Sequence, residues 1–219
     1  MADIIRLEPI DVPDPGEEAP GPGGPDHPMR KVTRQVAFEE GGWSGERSAK
    51  VAALFDGLSE IWHQNISDER HAPLLDALAR GNPGRGPVVE LGCGLCDSTP
   101  LLERHIGPVV AVDLSMGMLQ RATPDVARVR GDAGELPLPS NCAGSVVMIN
   151  ALLFPEEVDR ILAPGGTVVW VNTVGESTPI HLPAEDVARA LPGDWSGVWS
   201  TAGHGLWGVF RRSAESVTG

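Results

Sequence analysis

Tyrosine is absent from this chain and cysteine occurs only three times in 219 residues. Cations are scarce as well: 17 Lys and Arg stand against 30 Asp and Glu, a formal net charge of −13. No Lys/Arg cluster stands out. Nucleic acids and anionic membranes are usually held by a basic stripe that neutralises phosphates, so neither is an expected partner. No apolar run approaches the ~20 residues that a membrane-crossing helix needs. Three cysteines, an odd number, make no disulfide framework, and without a signal peptide they suggest a cytoplasmic, reducing setting. Cys93 and Cys96 form a C-x-x-C pair. Zinc would need two more ligands at suitable spacing, and only Cys142 remains as a thiol, so no metal is expected.

What is present suits one globular α/β domain of ordinary size, with 41% apolar and 21% charged residues. The acidity is uneven. Residues 1–29 hold seven acids and one base, Arg6. Residues 8–28 are rich in Pro, Gly and acids and bury too little apolar surface to offset ordering. The expectation is a disordered tail over 1–30, an N-terminal helical cap over 31–86, a core over 87–212 and a C-terminal tail over 213–219. In the cap, Val51, Leu54, Phe55, Leu58, Ile61 and Trp62 recur at helical spacing and predict a helix over 48–64. A second helix starts near Ser67 and ends at Gly81-Asn82-Pro83-Gly84.

From residue 87 strands and helices alternate. Strands are predicted near 87–91, 108–112, 126–130, 145–150 and 167–172. Helices are predicted near 98–106, 115–122, 155–162 and 183–191. Two antiparallel strands then flank the Gly203-His204-Gly205 turn. The order implies a Rossmann-like three-layer sandwich: a mostly parallel sheet, helices on both faces and an antiparallel C-terminal hairpin.

The chemistry is carried by Val88-Val-Glu-Leu-Gly-Cys-Gly94, a strand running into a glycine turn, and by Asp113 at the end of the next strand. Glycines let the backbone approach a ligand, and a carboxylate about 20 residues on takes ribose hydroxyls. A dinucleotide fingerprint requires a third small residue where this chain has Asp97, and an acid there repels a pyrophosphate. S-adenosylmethionine (SAM) has no phosphate and carries a cationic sulfonium, which an acidic turn suits.

At Glu90-Leu91-Gly92-Cys93-Gly94 the sequence resembles the class I SAM-dependent methyltransferases, over roughly residues 45–212. Leu162-Ala163-Pro164-Gly165-Gly166 matches the turn that often precedes their fifth strand, and Cys96 replaces a glycine frequent in their first motif. The resemblance implies a seven-stranded sheet, SAM as cofactor, S-adenosyl-L-homocysteine (SAH) as product and N-terminal helices walling the substrate pocket. Glu90, Gly92, Cys93 and Gly94 would face the methionine portion and Asp113 the ribose. Leu114 and Met118 would flank the adenine, whose amino group would meet Asp132 and a ring nitrogen the Ala133 N–H. Asn150 either sits near the methyl group or satisfies buried backbone.

Methyl transfer needs alignment above all, and an oxygen nucleophile needs a base as well. With no tyrosine, His63 and His181 are the candidates, with His204 behind them. The Asn/Asp-Pro-Pro-Tyr motif of enzymes that methylate amino groups of bases and proteins is absent. Asn150-Ala-Leu-Leu-Phe154 instead suggests an apolar small-molecule pocket, with Trp43, Trp62, Phe154 and Trp170 as walls. The expectation is a methyltransferase for a small organic acceptor, its O, C or N atom undetermined and the oligomeric state unknown. Two alternatives stand: a SAM-binding scaffold or regulator without catalysis, and a nicotinamide oxidoreductase, which Asp97 and the missing tyrosine disfavour.

Overall fold

The computed structural model describes residues 3–10, 24, 26–123 and 125–213. Strand β1 (Asp3–Arg6) is followed by α1 (Pro28–Phe38), α2 (Gly45–Leu58), a short 3-10 turn (Trp62–Asn65) and α3 (Asp68–Arg80). The alternating part runs β2 (Val88–Leu91), α4 (Thr99–His105), β3 (Val109–Asp113), α5 (Met116–Arg121), β4 (Arg128–Arg130), β5 (Ala143–Ile149), α6 (Pro155–Ile161) and β6 (Leu162–Asn172). It closes with α7 (Ala184–Ala190), β7 (Trp195–Ala202) and β8 (Gly205–Arg212).

One sheet has the order β1-β7-β8-β6-β5-β2-β3-β4. Its inner strands β2 to β6 are parallel, and β8 runs antiparallel to both β6 and β7. The Rossmann-like sandwich and its terminal hairpin are therefore as expected. The strand count is not: among the described residues there are eight strands, because β1 adds parallel to β7 at the sheet edge. The Leu7 N–H continues the ladder to the Trp199 carbonyl, and the Arg6 guanidinium lies over the Trp199 ring. Residues 3–6 and 28–30 are thus ordered elements inside the segment expected to be disordered; residues 1, 2, 11–23 and 25 of that tail, and 214–219, lie outside the described residues. The apolar Ile4-Ile5 pair was too short a signal for a strand, and its partner is almost 200 residues away.

The two sheet faces follow from strand alternation. Val88, Val109, Val147, Val169 and Val209 pack under α3 and α4 with Leu74 and Leu102. Val89, Val112, Val146, Met148 and Trp170 face α6 and α7 with Ile161 and Val187. β5 is buried on both faces, which is why its sequence is uniformly apolar. Trp170 is fully buried in this core, so it is a core residue and forms no pocket wall, contrary to expectation. The Pro164-Gly165-Gly166 turn lies within β6: β5–β6 pairing jumps from Ala143–Leu162 to Ser145–Thr167, and the extra residues bulge around Gly165 at φ 76.

The cap splits in two. The helix predicted over 48–64 stops at Leu58, and Trp62–Asn65 form the separate turn. Asp56 of α2 accepts hydrogen bonds from the Ser115 hydroxyl and the Gly117 N–H, so α2 docks on the start of α5 above the strand ends. Helix α3 instead lies flat on the sheet. Its Asp76 accepts from Arg80 and, at 2.6 Å, from the Trp207 indole N–H. The N-terminal half of α3, through Arg70, His71 and Leu74, reaches the carboxyl ends of the strands.

Candidate active site

A cavity of about 750 Å³ opens outside the carboxyl ends of β2, β3 and β5, with the cap as its roof. Open α/β sheets bind ligands at that edge. Glu90, Gly92, Cys93, Gly94, Asp113, Leu114, Met118, Asp132, Ala133 and Asn150 all line it. So do Trp43, Trp62 and Phe154, three of the four aromatic residues predicted as walls.

The glycine turn is built as its residues require. Gly92 has φ 70, and a Cβ there would stand 2.7 Å from the Ala151 Cβ. Gly94 has φ 55 and nothing closer than the Trp62 indole nitrogen at 3.5 Å. Cys96, in place of the glycine frequent in related turns, adopts φ 59, a left-handed conformation that strains a residue carrying a side chain. The Cys96 and Cys93 sulfurs are 3.5 Å apart, and both thiols are free. The hydrogen bond with Cys96, then burial, holds the Cys93 thiol above its ordinary pKa, so it stays protonated.

Two carboxylates organise this end. Glu90 is 2% exposed and accepts a hydrogen bond from the Thr99 hydroxyl. Burial pushes its pKa up to about 8, with Cys96, Asp97 and Asp113 adding to the rise. Asp113 bridges the two turns: one oxygen accepts from the Gly94 N–H and the other from the Ser115 N–H, both at 2.8 Å. Burial raises its pKa, and those backbone donors oppose the rise. Each oxygen keeps a second acceptor site, which suits a ribose diol.

At the other end Asp132 accepts from the Trp43 indole at 2.9 Å, the Ser48 hydroxyl at 2.6 Å and the Gly134 N–H at 2.8 Å. The carboxylate expected to read an adenine amino group thus also ties the cap to the core. Asn150 exchanges hydrogen bonds with Thr173, its Nδ2 donating to Thr173 Oγ1 and its Oδ1 accepting from the Thr173 N–H. It lines the cavity and satisfies the Thr173 backbone N–H.

The histidines are placed differently from expectation. His63 is exposed beside the Glu60 carbonyl and does not line the cavity. His181 is 5% exposed and bound to Asn172 Oδ1 at 2.8 Å, outside the cavity lining. Burial lowers its pKa to about 4, so it stays neutral as part of the Trp170–Asn172 network. Two histidines line the cavity: His27, whose Nδ1 accepts from the Met29 N–H at the start of α1, and His71, on the first turn of α3, with Nε2 3.1 Å from Asp97 Oδ2. Arg70 beside it donates to Thr173 Oγ1 and the Asn65 carbonyl. Sequence reading passed over both because Asp68-Glu69-Arg70-His71 has the composition of a solvated first turn. Only the placement of α3 against the glycine turn turns them inward.

The donor set fits SAM. Four carboxyl groups, Glu90, Asp97, Asp113 and Asp132, line one cavity; they suit a cation and hydroxyl groups and disfavour a pyrophosphate. Among the described residues no helix is long and apolar enough to cross a membrane.

Comparison with known proteins agrees. Residues 89–170 match the family described as methyltransferase domain. A trans-aconitate 2-methyltransferase of Rhizobium meliloti is 34% identical over 145 residues, 60% of this chain and 56% of that protein. A demethylmenaquinone methyltransferase of Staphylococcus saprophyticus is 32% identical over 148 residues, 59% of this chain and 62% of that protein. The chain thus spans less than two thirds of the length of these relatives. Among solved structures, a SAM-dependent methyltransferase from Aquifex aeolicus superposes with a TM-score of 0.54 at 18% identity, over 73% of this chain and 97% of that one. The phosphoethanolamine N-methyltransferase 1 of Haemonchus contortus gives 0.59 at 15%, over 82% and 52%. These structural likenesses establish the shared fold.

Proposed function

We propose, for a chain whose central segment is a class I SAM-dependent methyltransferase domain, that it moves the methyl group of SAM to a small organic molecule. The observation that carries the reading is the single cavity that joins the glycine turn, Asp113 and Asp132 to apolar cap walls. In it, Gly92 and Gly94 let the backbone approach the methionine portion, and Asp113 takes the ribose hydroxyls through its two remaining acceptor sites. Leu114 and Met118 pack on the adenine, and Asp132 with the Ala133 N–H reads its edge. SAM supplies a methyl group already activated on a sulfonium, so the chain's own task is to align an acceptor and exclude water. Trp43, Trp62 and Phe154 provide an apolar wall for that acceptor. The names of the two relatives, one for trans-aconitate and one for demethylmenaquinone, support a small organic acceptor of this kind.

Titration calorimetry with SAM, SAH and NAD tests the cofactor. Binding of the first two without NAD is the expected result, and NAD binding alone would sink the reading. Asp113→Ala should weaken SAH binding at least about tenfold, because a hydrogen bond to a charged group is worth about 1.5–3 kcal/mol. A second reading, SAM binding without methyl transfer, draws support from the cavity's lack of His63 and His181. A cyclase shares the fold with a TM-score of 0.53 at 19% identity, and a fold does not fix its reaction. Tight SAM binding with no SAH formed from any acceptor would favour it.

A further inference from the structure

We infer that His71 is the general base of this site, held by Asp97, and that the acceptor is a phenol- or enol-type molecule that must lose a hydroxyl proton. The inference rests on the methyltransferase reading above. His71 and Asp97 come from different elements, the first turn of α3 and the turn after Gly94, and both line the cavity at the glycine end. A hydrogen bond of 3.1 Å joins Nε2 to the Asp97 carboxylate. A carboxylate on one ring nitrogen fixes that nitrogen as the proton carrier and leaves the lone pair of the other, Nδ1, for an acceptor. Arg70, half-buried on the same rim, makes no ion pair among the described residues and bonds only neutral oxygens of Thr173 and Asn65. Its positive charge, which is also felt by Asp97, favours an ionised acceptor oxygen beside it.

The step balances simply. The acceptor O–H bond breaks and its proton goes to Nδ1. The freed oxygen electron pair forms the bond to the methyl carbon as the carbon–sulfur bond breaks and leaves its pair on sulfur. The imidazolium then returns its proton to water. A carboxylate acceptor, ionised already at neutral pH, would need no such base.

The titratable and charged groups around His71 are Asp97 on the turn, Asp68 and Arg70 on its own helix, and Asp113 and the protonated Glu90 across the cavity. The hydrogen bond to Asp97 raises the His71 pKa against the effect of burial, with Asp68 adding to the rise.

The test uses the full chain loaded with SAH and 4-nitrocatechol as probe, whose ionised form is read by its visible absorbance. Calorimetry of SAH alone reports on the cofactor site. The expected result is a bound probe whose ionised form is favoured about tenfold or more over the free probe, as one charge-assisted hydrogen bond provides. His71→Gln should abolish that preference while SAH affinity stays within about threefold. Asp97→Asn, a change at a positioning residue, should lower the His71 pKa, read by carbon NMR of the imidazole, which a merely structural role would not move. Three results would overturn the inference while SAH still binds: no probe binding, a probe bound neutral, or equal ionisation with and without His71. Failure of SAH to bind would instead overturn the methyltransferase reading.

Discussion

Replacing Glu90 by Gln should abolish most of the stability loss that the protein shows between mildly acidic and mildly alkaline pH. Glu90 is 2% exposed and its pKa lies at about 8, against 4.5 for an ordinary glutamate. The folded state therefore keeps a proton that the unfolded chain has released. Stability falls as pH rises wherever the native state binds more protons, so the loss starts near 4.5 and is complete only above about 8. That gap, at about 1.4 kcal/mol per pKa unit, gives on the order of 5 kcal/mol. The hydroxyl of Thr99 can donate to a Gln amide oxygen as it does to Glu90, so the variant keeps its partner and lacks the ionisation. Urea unfolding of the free protein at a series of pH values measures it. The wild type should weaken steadily across the window, and Glu90→Gln should be the more stable of the two at the alkaline end. Parallel curves for the two proteins would refute the claim that burial governs this carboxyl group.

Other consequences follow from the packing. Gly92→Ala places a Cβ 2.7 Å from the Ala151 Cβ at φ 70, so unfolding free energy should drop by about 1–3 kcal/mol; an unchanged urea midpoint would contradict the turn geometry. Asp76→Ala leaves the buried Trp207 N–H without its acceptor and Arg80 with only the Glu8 carbonyl and Ser200 hydroxyl, a loss of about 1–3 kcal/mol read in the same assay. Deleting residues 1–10 strips β1 from the β7 edge. The thermal midpoint should fall and the bare edge should promote aggregation on heating, whereas light scattering identical to the full chain would show that the edge needs no cover.

The sequence by itself determined the alternation of strands and helices, because uniformly apolar runs such as residues 145–149 can only be central strands covered on both faces. It also located the turn and carboxylate proposed as the cofactor end of the site. Gly92, Gly94 and Asp113 sit at fixed offsets within one strand–turn–helix–strand unit, so local chain geometry brings them together: the Gly94 N–H meets the Asp113 carboxylate at 2.8 Å. Contacts between distant segments were decided only by the tertiary structure. β1 finds its partner in β7 through backbone hydrogen bonds that carry no side-chain signature. Asp132 meets Trp43 and Ser48 because α2 is seated on α5 through Asp56. His181, with an unremarkable sequence context, is sealed in the core beside Asn172, while His71 in a polar first turn is brought onto Asp97. Residue type and local spacing limit what a side chain can do. Whether His71 meets the cavity depends on where a whole helix lands on the sheet, and that is set by core packing around Leu74, Asp76 and Trp207.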